Sequence, residues 1–141
     1  MNNILKPETG AFILRIALGA VLVAHSVYLK LIVFGLPGTA EFFSTIGLPG
    51  ALAYIVFLVE TIAGVALILG VQTRLFAAMV IPVLLGATWA HWPSGWLFTN
   101  TGGGWEYPLF LTVMAVVQLS LGDGKYALPI NVLKLRLREA N

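Results

Sequence analysis

Six ionisable side chains lie within or directly beside apolar stretches of the sequence. They are Arg15, His25, Lys30, Glu60, His91 and Glu106. A charge placed among apolar helices loses its hydration, so it needs a partner, a polar ligand or water nearby. Imidazole and carboxylate side chains can also take up and release protons. Their types and positions therefore predict a polar site, able to do proton chemistry, inside an otherwise apolar helical protein.

The composition indicates a membrane protein. Of the 141 residues, 59% are hydrophobic and 10% are charged, against about 25% charged in soluble domains. A soluble fold of this size could not hide so much apolar surface, whereas a lipid bilayer accepts it. The chain has no cysteine, which excludes disulfides, iron–sulfur ligation and c-type haem attachment within it. The net charge of +2 is no nucleic-acid signature, so we expect lipid, not nucleic acid, as its surroundings.

Apolar runs separated by glycine and proline predict four helices, over about residues 11–34, 51–69, 75–92 and 106–121. The first would extend about 36 Å, enough to cross a hydrocarbon core of about 30 Å. Residues 39–47 are too short to span and predict an interfacial segment between the first two helices. The predicted fold is an all-α integral membrane four-helix bundle. It forms a single domain over residues 1–141, with a basic cytoplasmic tail over 123–141.

The charge distribution predicts the orientation of this bundle. Seven of the eight Lys and Arg residues lie near the N-terminus, in the turn between the second and third helices, or in the tail. The other two loops carry none. By the positive-inside rule both termini are cytoplasmic and these loops face outward. The four Trp residues lie where the third and fourth helices would meet the outer boundary, as an aromatic belt would place them.

Glu60 lies at the middle of the second helix, and a base from the first helix is its expected partner. His25 and Lys30 are the two candidates. They are five residues apart, about 140° around an α-helix, so both cannot point straight at one partner. Two interpretations stay open: a structural ion pair that clamps the first two helices, or a cavity that opens outward and binds a small polar or quinonoid molecule.

A metal site is a further alternative, since His25, His91, Glu60 and Glu106 offer two imidazoles and two carboxylates. They lack a local ligand spacing such as Glu-x-x-His on one helix, so we assign no metal. Simpler roles also exist for single residues. His91 fits an interfacial histidine, Glu106 a carboxylate at a helix start, and Arg15 a side chain that reaches back to the membrane surface.

Several short, different motifs are spread along nearly the whole chain: Leu14-Arg15 with Gly19, His25, Lys30, Gly47-Leu48-Pro49, Glu60, Gly64, Leu67 to Gly70, Thr73-Arg74, His91 and Gly122-Asp123-Gly124-Lys125-Tyr126-Ala127-Leu128. In these residues the chain resembles the DoxX family of small four-helix bacterial membrane proteins. Ser26 stands where that family often has Gly, and Pro129 where its tail motif often closes with Asp. The resemblance implies a four-helix fold in the bacterial inner membrane. It also implies a link to quinone-dependent redox complexes, although distant relatives look like non-enzymatic receptors or chaperones.

We therefore expect a membrane oxidoreductase subunit that binds quinone or a small reductant in an outward-facing polar pocket. His25, Glu60 and His91 are the predicted catalytic residues, and the predicted substrate-binding residues are Arg15, Lys30 and Glu106. We recognise no haem, flavin or iron–sulfur motif, so electrons would come from the substrate or from a redox partner protein. The alternative is a non-catalytic scaffold, chaperone or partner-binding module whose charge cluster is structural. The sequence leaves open both catalysis itself and assembly into a homo-oligomer.

Overall fold

The computed structural model describes residues 6–129, and within them the secondary structure is entirely helical. The five α-helices are α1 (Pro7–Val23), α2 (Leu36–Thr45), α3 (Ala51–Leu69), α4 (Thr73–His91) and α5 (Glu106–Leu121). A π-helix, Ala24–Val33, continues α1 directly, and a 3-10 turn, Trp92–Ser94, continues α4. The basic residues of the predicted tail, Lys134, Arg136 and Arg138, lie outside the described residues.

Three helical stretches are long and apolar enough to cross a membrane: Pro7–Val33, Ala51–Leu69 and Thr73–Ser94. The fourth long helix, α5, is apolar but has 16 residues, fewer than the roughly 20 that a typical span needs. The interfacial segment expected between the first two helices is occupied by α2, which has 10 residues.

The four long helices pack in a ring, in which α1 contacts α3 and α5, and α4 contacts the same two helices. The short helix α2 lies outside this ring, against α3 and the π-helix. Consecutive long helices run antiparallel, which gives the molecule two ends. We call the end with residues 6–9, 70–73 and 122–129 the terminal end. The end with residues 34–50 and 92–106 is the loop end.

The interior of the ring combines small and branched apolar side chains with polar ones, while large apolar side chains cover the outside. The apolar core draws on all four long helices and comprises Leu18, Leu22, Ala63, Leu67, Ala77, Val80, Leu84, Leu111 and Ala115. Large apolar side chains such as Ile32, Leu58 and Phe110 are more than half exposed. This distribution suits a protein surrounded by hydrocarbon, because acyl chains cover an apolar exterior without penalty.

Two glycines allow α1 and α3 to approach closely. A Cβ atom added at Gly19 would lie 2.7 Å from the carbonyl oxygen of Gly64, and one at Gly64 would lie 2.8 Å from Cγ2 of Val23. Both distances are too short for a real side chain, so only glycine fits here. Gly64 lies one helical turn after Glu60, and the close approach therefore holds Glu60 against the first helix.

Candidate functional site

A buried ion pair joins the π-helix to the middle of α3. The ammonium Nζ of Lys30 lies 2.6 Å from Oε2 of Glu60, and the two side chains are 17% and 7% exposed. The sequence predicted that Glu60 would pair with His25 or Lys30, and the structure selects Lys30. Because the two charges compensate each other, neither can be removed alone without leaving the other buried and unpaired.

The π-helix changes which residues of the first helix share a face. A π-helix closes i→i+5 hydrogen bonds, as between the Phe34 N–H and the Leu29 carbonyl at 2.9 Å. Residues five apart are therefore stacked about one turn above each other. The expectation that His25 and Lys30 point about 140° apart assumed an α-helix and was wrong, because Ala24–Val33 winds more loosely. His25 and Lys30 consequently lie on the same side of the helix.

His25 lies one π-turn from the ion pair, and it stacks against α5. Its ring centroid is 6.0 Å from that of Tyr107, with the two planes inclined by 28°. The ring is half-buried, and neither of its nitrogens makes a hydrogen bond within residues 6–129. Lys30 and His91 are close enough to His25 to interact with it electrostatically. Neither nitrogen of His25 is therefore committed to a protein partner among residues 6–129.

Tyr107 is the residue of this site that the sequence did not single out, since its position also fits an interfacial aromatic belt. Its ring lines a groove of about 280 Å³ between α1 and α5, whose other walls include Leu14, Val21 and Met114. Leu14, Leu18, Val21 and His25 recur at helical spacing, so the groove leads along α1 toward the imidazole. Tyr107 is identified by its stacking on His25 of another helix, a contact that no local sequence pattern indicates.

His91 and Glu106, both predicted to belong to the site, hold the loop between α4 and α5. The Nδ1 atom of His91 donates to the Gly102 carbonyl at 3.0 Å. Oε1 of Glu106 accepts from the backbone N–H of Phe98 at 2.9 Å. Within the described part of the chain, neither side chain bonds to the Lys30–Glu60 pair. The structure thus brings His91 near His25 but assigns Glu106 to a different contact.

Arg15 lies at the terminal end, away from the ion pair, and is fully buried. Its Nη1 donates to the carbonyls of Leu67 and Ile68 at 3.1 and 3.2 Å. Its Nη2 donates to the Lys125 carbonyl at 2.9 Å. The guanidinium therefore binds carbonyls in the last turn of α3 and ties on the segment that follows α5. The structure does not bring Arg15 to the other predicted site residues.

Metal binding would need several donor side chains at one point. Among residues 6–129, no group of three or more His, Asp or Glu side chains lies close enough to share an ion. The two imidazoles and two carboxylates considered from the sequence do not converge, because Glu60 is engaged by Lys30 and Glu106 by the loop.

The fold and this site define a class: a small helical membrane protein with an ion pair and a histidine inside its helix ring. The sequence model of the DoxX family matches residues 10–92, more than half of the chain, and the chain belongs to the DoxX family. It is also similar to "Putative oxidoreductase CatD" of Bacillus subtilis (strain 168), with 36% identity over 80 residues. That match covers 57% of this chain and 58% of the relative's length. No solved structure matches the chain significantly.

Proposed function

We propose that this protein is a membrane oxidoreductase subunit that binds a quinone, or a small reductant, beside His25. One observation carries the proposal: a half-buried imidazole, without a hydrogen bond from residues 6–129, stacks on Tyr107, which itself lines an apolar groove. A quinone has an apolar ring and tail, with two oxygens that need hydrogen-bond donors. The groove between α1 and α5 suits the tail, and His25 and Tyr107 suit the head group. The name of the Bacillus relative supports a redox role.

Reduction of a quinone to a quinol consumes two electrons and two protons. The electrons would come from a small reductant or from a redox partner protein. In our proposal His25 delivers the two protons to the quinone oxygens in succession. After each transfer His91, near the loop end, reprotonates His25 with a proton taken from water. Lys30 and Glu60 form a second titratable pair one π-turn away, and they would fix the charge next to the head group. We leave Arg15 and Glu106 out of this site because other contacts engage both.

We further propose that α5 also spans, which gives four spans in a bacterial inner membrane with both termini cytoplasmic. The ring packing supports this, since α5 packs against both α1 and α4. Among residues 6–129, the cations of the terminal end are Lys6, Arg15, Arg74 and Lys125, whereas the loops of the loop end carry none. Reporters fused after residue 100 and after residue 141 test this orientation. The proposal requires the two reporters to lie on opposite sides of the membrane.

The test of the redox role starts from the full chain purified in mild detergent, followed by solvent extraction for bound quinone. Turnover is then followed by quinol absorbance with candidate reductants. His25→Phe keeps a flat ring for Tyr107 but removes both nitrogens, so turnover should fall at least about tenfold. Glu41→Gln, on the exposed face of α2, is the matched control and should change nothing. Absence of bound quinone, together with equal turnover in wild type and His25→Phe, would contradict the proposal.

A specific observation favours a second candidate, a non-catalytic scaffold or partner-binding module. The Lys30–Glu60 pair, at 2.6 Å, satisfies its own charges and clamps the π-helix to α3. A scaffold would need that clamp and no proton transfer. Glu60→Gln would then weaken the fold and the capture of a partner, while His25→Phe would be silent in every assay.

A further inference from the structure

We propose that the loop end carries a second site, which binds the ammonium head group of a phospholipid. The site is a cavity of about 470 Å³ between the α4–α5 loop and the first turns of α5. Glu106 lies in it, with aromatic walls from Trp96, Phe98 and Tyr107. The proposal does not rest on the redox function, although Tyr107 borders both sites.

Only one oxygen of the Glu106 carboxylate accepts a hydrogen bond from the described residues. Its Oε1 accepts the Phe98 N–H at 2.9 Å, while Oε2 accepts no hydrogen bond from residues 6–129. The sequence has no Lys or Arg between Arg74 and Lys125, so neither the loop between α4 and α5 nor α5 itself offers a Lys or Arg. A half-buried carboxylate that forms no ion pair within residues 6–129 favours a cationic ligand.

The aromatic walls favour an organic ammonium ion. Ammonium groups bind well over the faces of Trp, Tyr and Phe, especially where water is excluded. These walls are also fixed in place. Trp105 stacks on Trp92 at 4.5 Å and meets Trp96 edge to face at 4.4 Å. The Glu106 N–H donates to the Trp96 carbonyl at 3.2 Å. The site is therefore preorganised and needs little loop ordering on binding.

The cavity extends along α5 past Leu109, Phe110 and Val113, in the direction of the terminal end. Phe110 and Val113 are largely exposed and would face hydrocarbon. A free amine would leave this apolar part of the cavity unused, whereas an acyl chain would fill it. The charge at one end and the apolar walls at the other therefore point to a lipid with an ammonium head group, such as phosphatidylethanolamine.

Native mass spectrometry of the full chain, released from detergent, tests this inference. Phosphatidylethanolamine and phosphatidylglycerol with the same acyl chains are added in equal amounts. We expect retention of phosphatidylethanolamine to exceed that of phosphatidylglycerol about tenfold. Glu106→Gln keeps an oxygen for the Phe98 N–H but removes the charge, and it should abolish this preference. Glu41→Gln controls for the loss of a carboxylate elsewhere.

Two results would overturn the inference. One is the lack of a preference that depends on Glu106, seen either as equal retention of the two lipids by the wild type or as a preference unchanged in Glu106→Gln. The other is displacement of the lipid by soluble ethanolamine at a similar concentration, which would identify a free-amine site. A circular dichroism melt of Glu106→Gln checks folding. If that variant unfolds, Phe98→Leu replaces it, since it removes one aromatic wall and should reduce the preference at least about threefold.

Discussion

Breaking the Lys30–Glu60 ion pair one residue at a time, and then both together, measures what it contributes to folding. Lys30→Met leaves a carboxylate that is 7% exposed without its partner. Loss of one member of a buried pair costs about 3–5 kcal/mol. The lysine side chain is 17% exposed, so some water reaches the pair, and we expect about 3 kcal/mol for Lys30→Met. Glu60→Leu leaves the better solvated partner, and we expect about 2 kcal/mol.

The double variant Lys30→Met/Glu60→Leu removes both charges and should lie within about 1 kcal/mol of the wild type. The coupling between the two sites is then about 4–6 kcal/mol, far above the roughly 0.5 kcal/mol within which independent sites add. Unfolding in mixed micelles with increasing dodecyl sulfate, followed by circular dichroism, provides the free energies. If the double variant is as unstable as the sum of the single ones, the two charges do not interact, and our account of this site fails.

Two further predictions concern the packing of the helix ring. Gly19→Ala should destabilise the protein by about 1–3 kcal/mol in the same assay, because its methyl group would overlap the Gly64 carbonyl oxygen. Gly86→Ala is the control and should be neutral or slightly stabilising, because a Cβ at Gly86 meets nothing within 4 Å. Arg15→Leu should cost about 3 kcal/mol of folding free energy, because it removes three hydrogen bonds to backbone carbonyls. The variant should also be cut by proteases in the segment around Lys125, and an uncut segment would contradict the role given to Arg15.

Hydropathy located the helices well, because long apolar runs bounded by glycine and proline leave few alternatives. The sequence predicts helices over 51–69 and 106–121, and α3 and α5 cover Ala51–Leu69 and Glu106–Leu121. It also predicts a base from the first helix opposite Glu60, which follows from the cost of a buried charge. These predictions depend on local composition and on charge pairing.

The π-helix could not be predicted in the same way. Periodicity arguments assume 3.6 residues per turn, and the residues of Ala24–Val33 contain no local signal for a wider one. The stacking of Tyr107 on His25 and the bonds from Arg15 to distant carbonyls also escape sequence reasoning, since they depend on how separate helices align. What the sequence alone does not provide is how the separate helices are placed relative to one another.

The bond between Arg15 and the Lys125 carbonyl has a consequence for biosynthesis. It joins residues 110 positions apart, so it cannot form until the ribosome has translated the segment that follows α5. Until then, Nη2 of Arg15 lacks this acceptor and needs water or a lipid phosphate in its place. Closure of the terminal end by this bond therefore waits for the synthesis of the segment that follows α5.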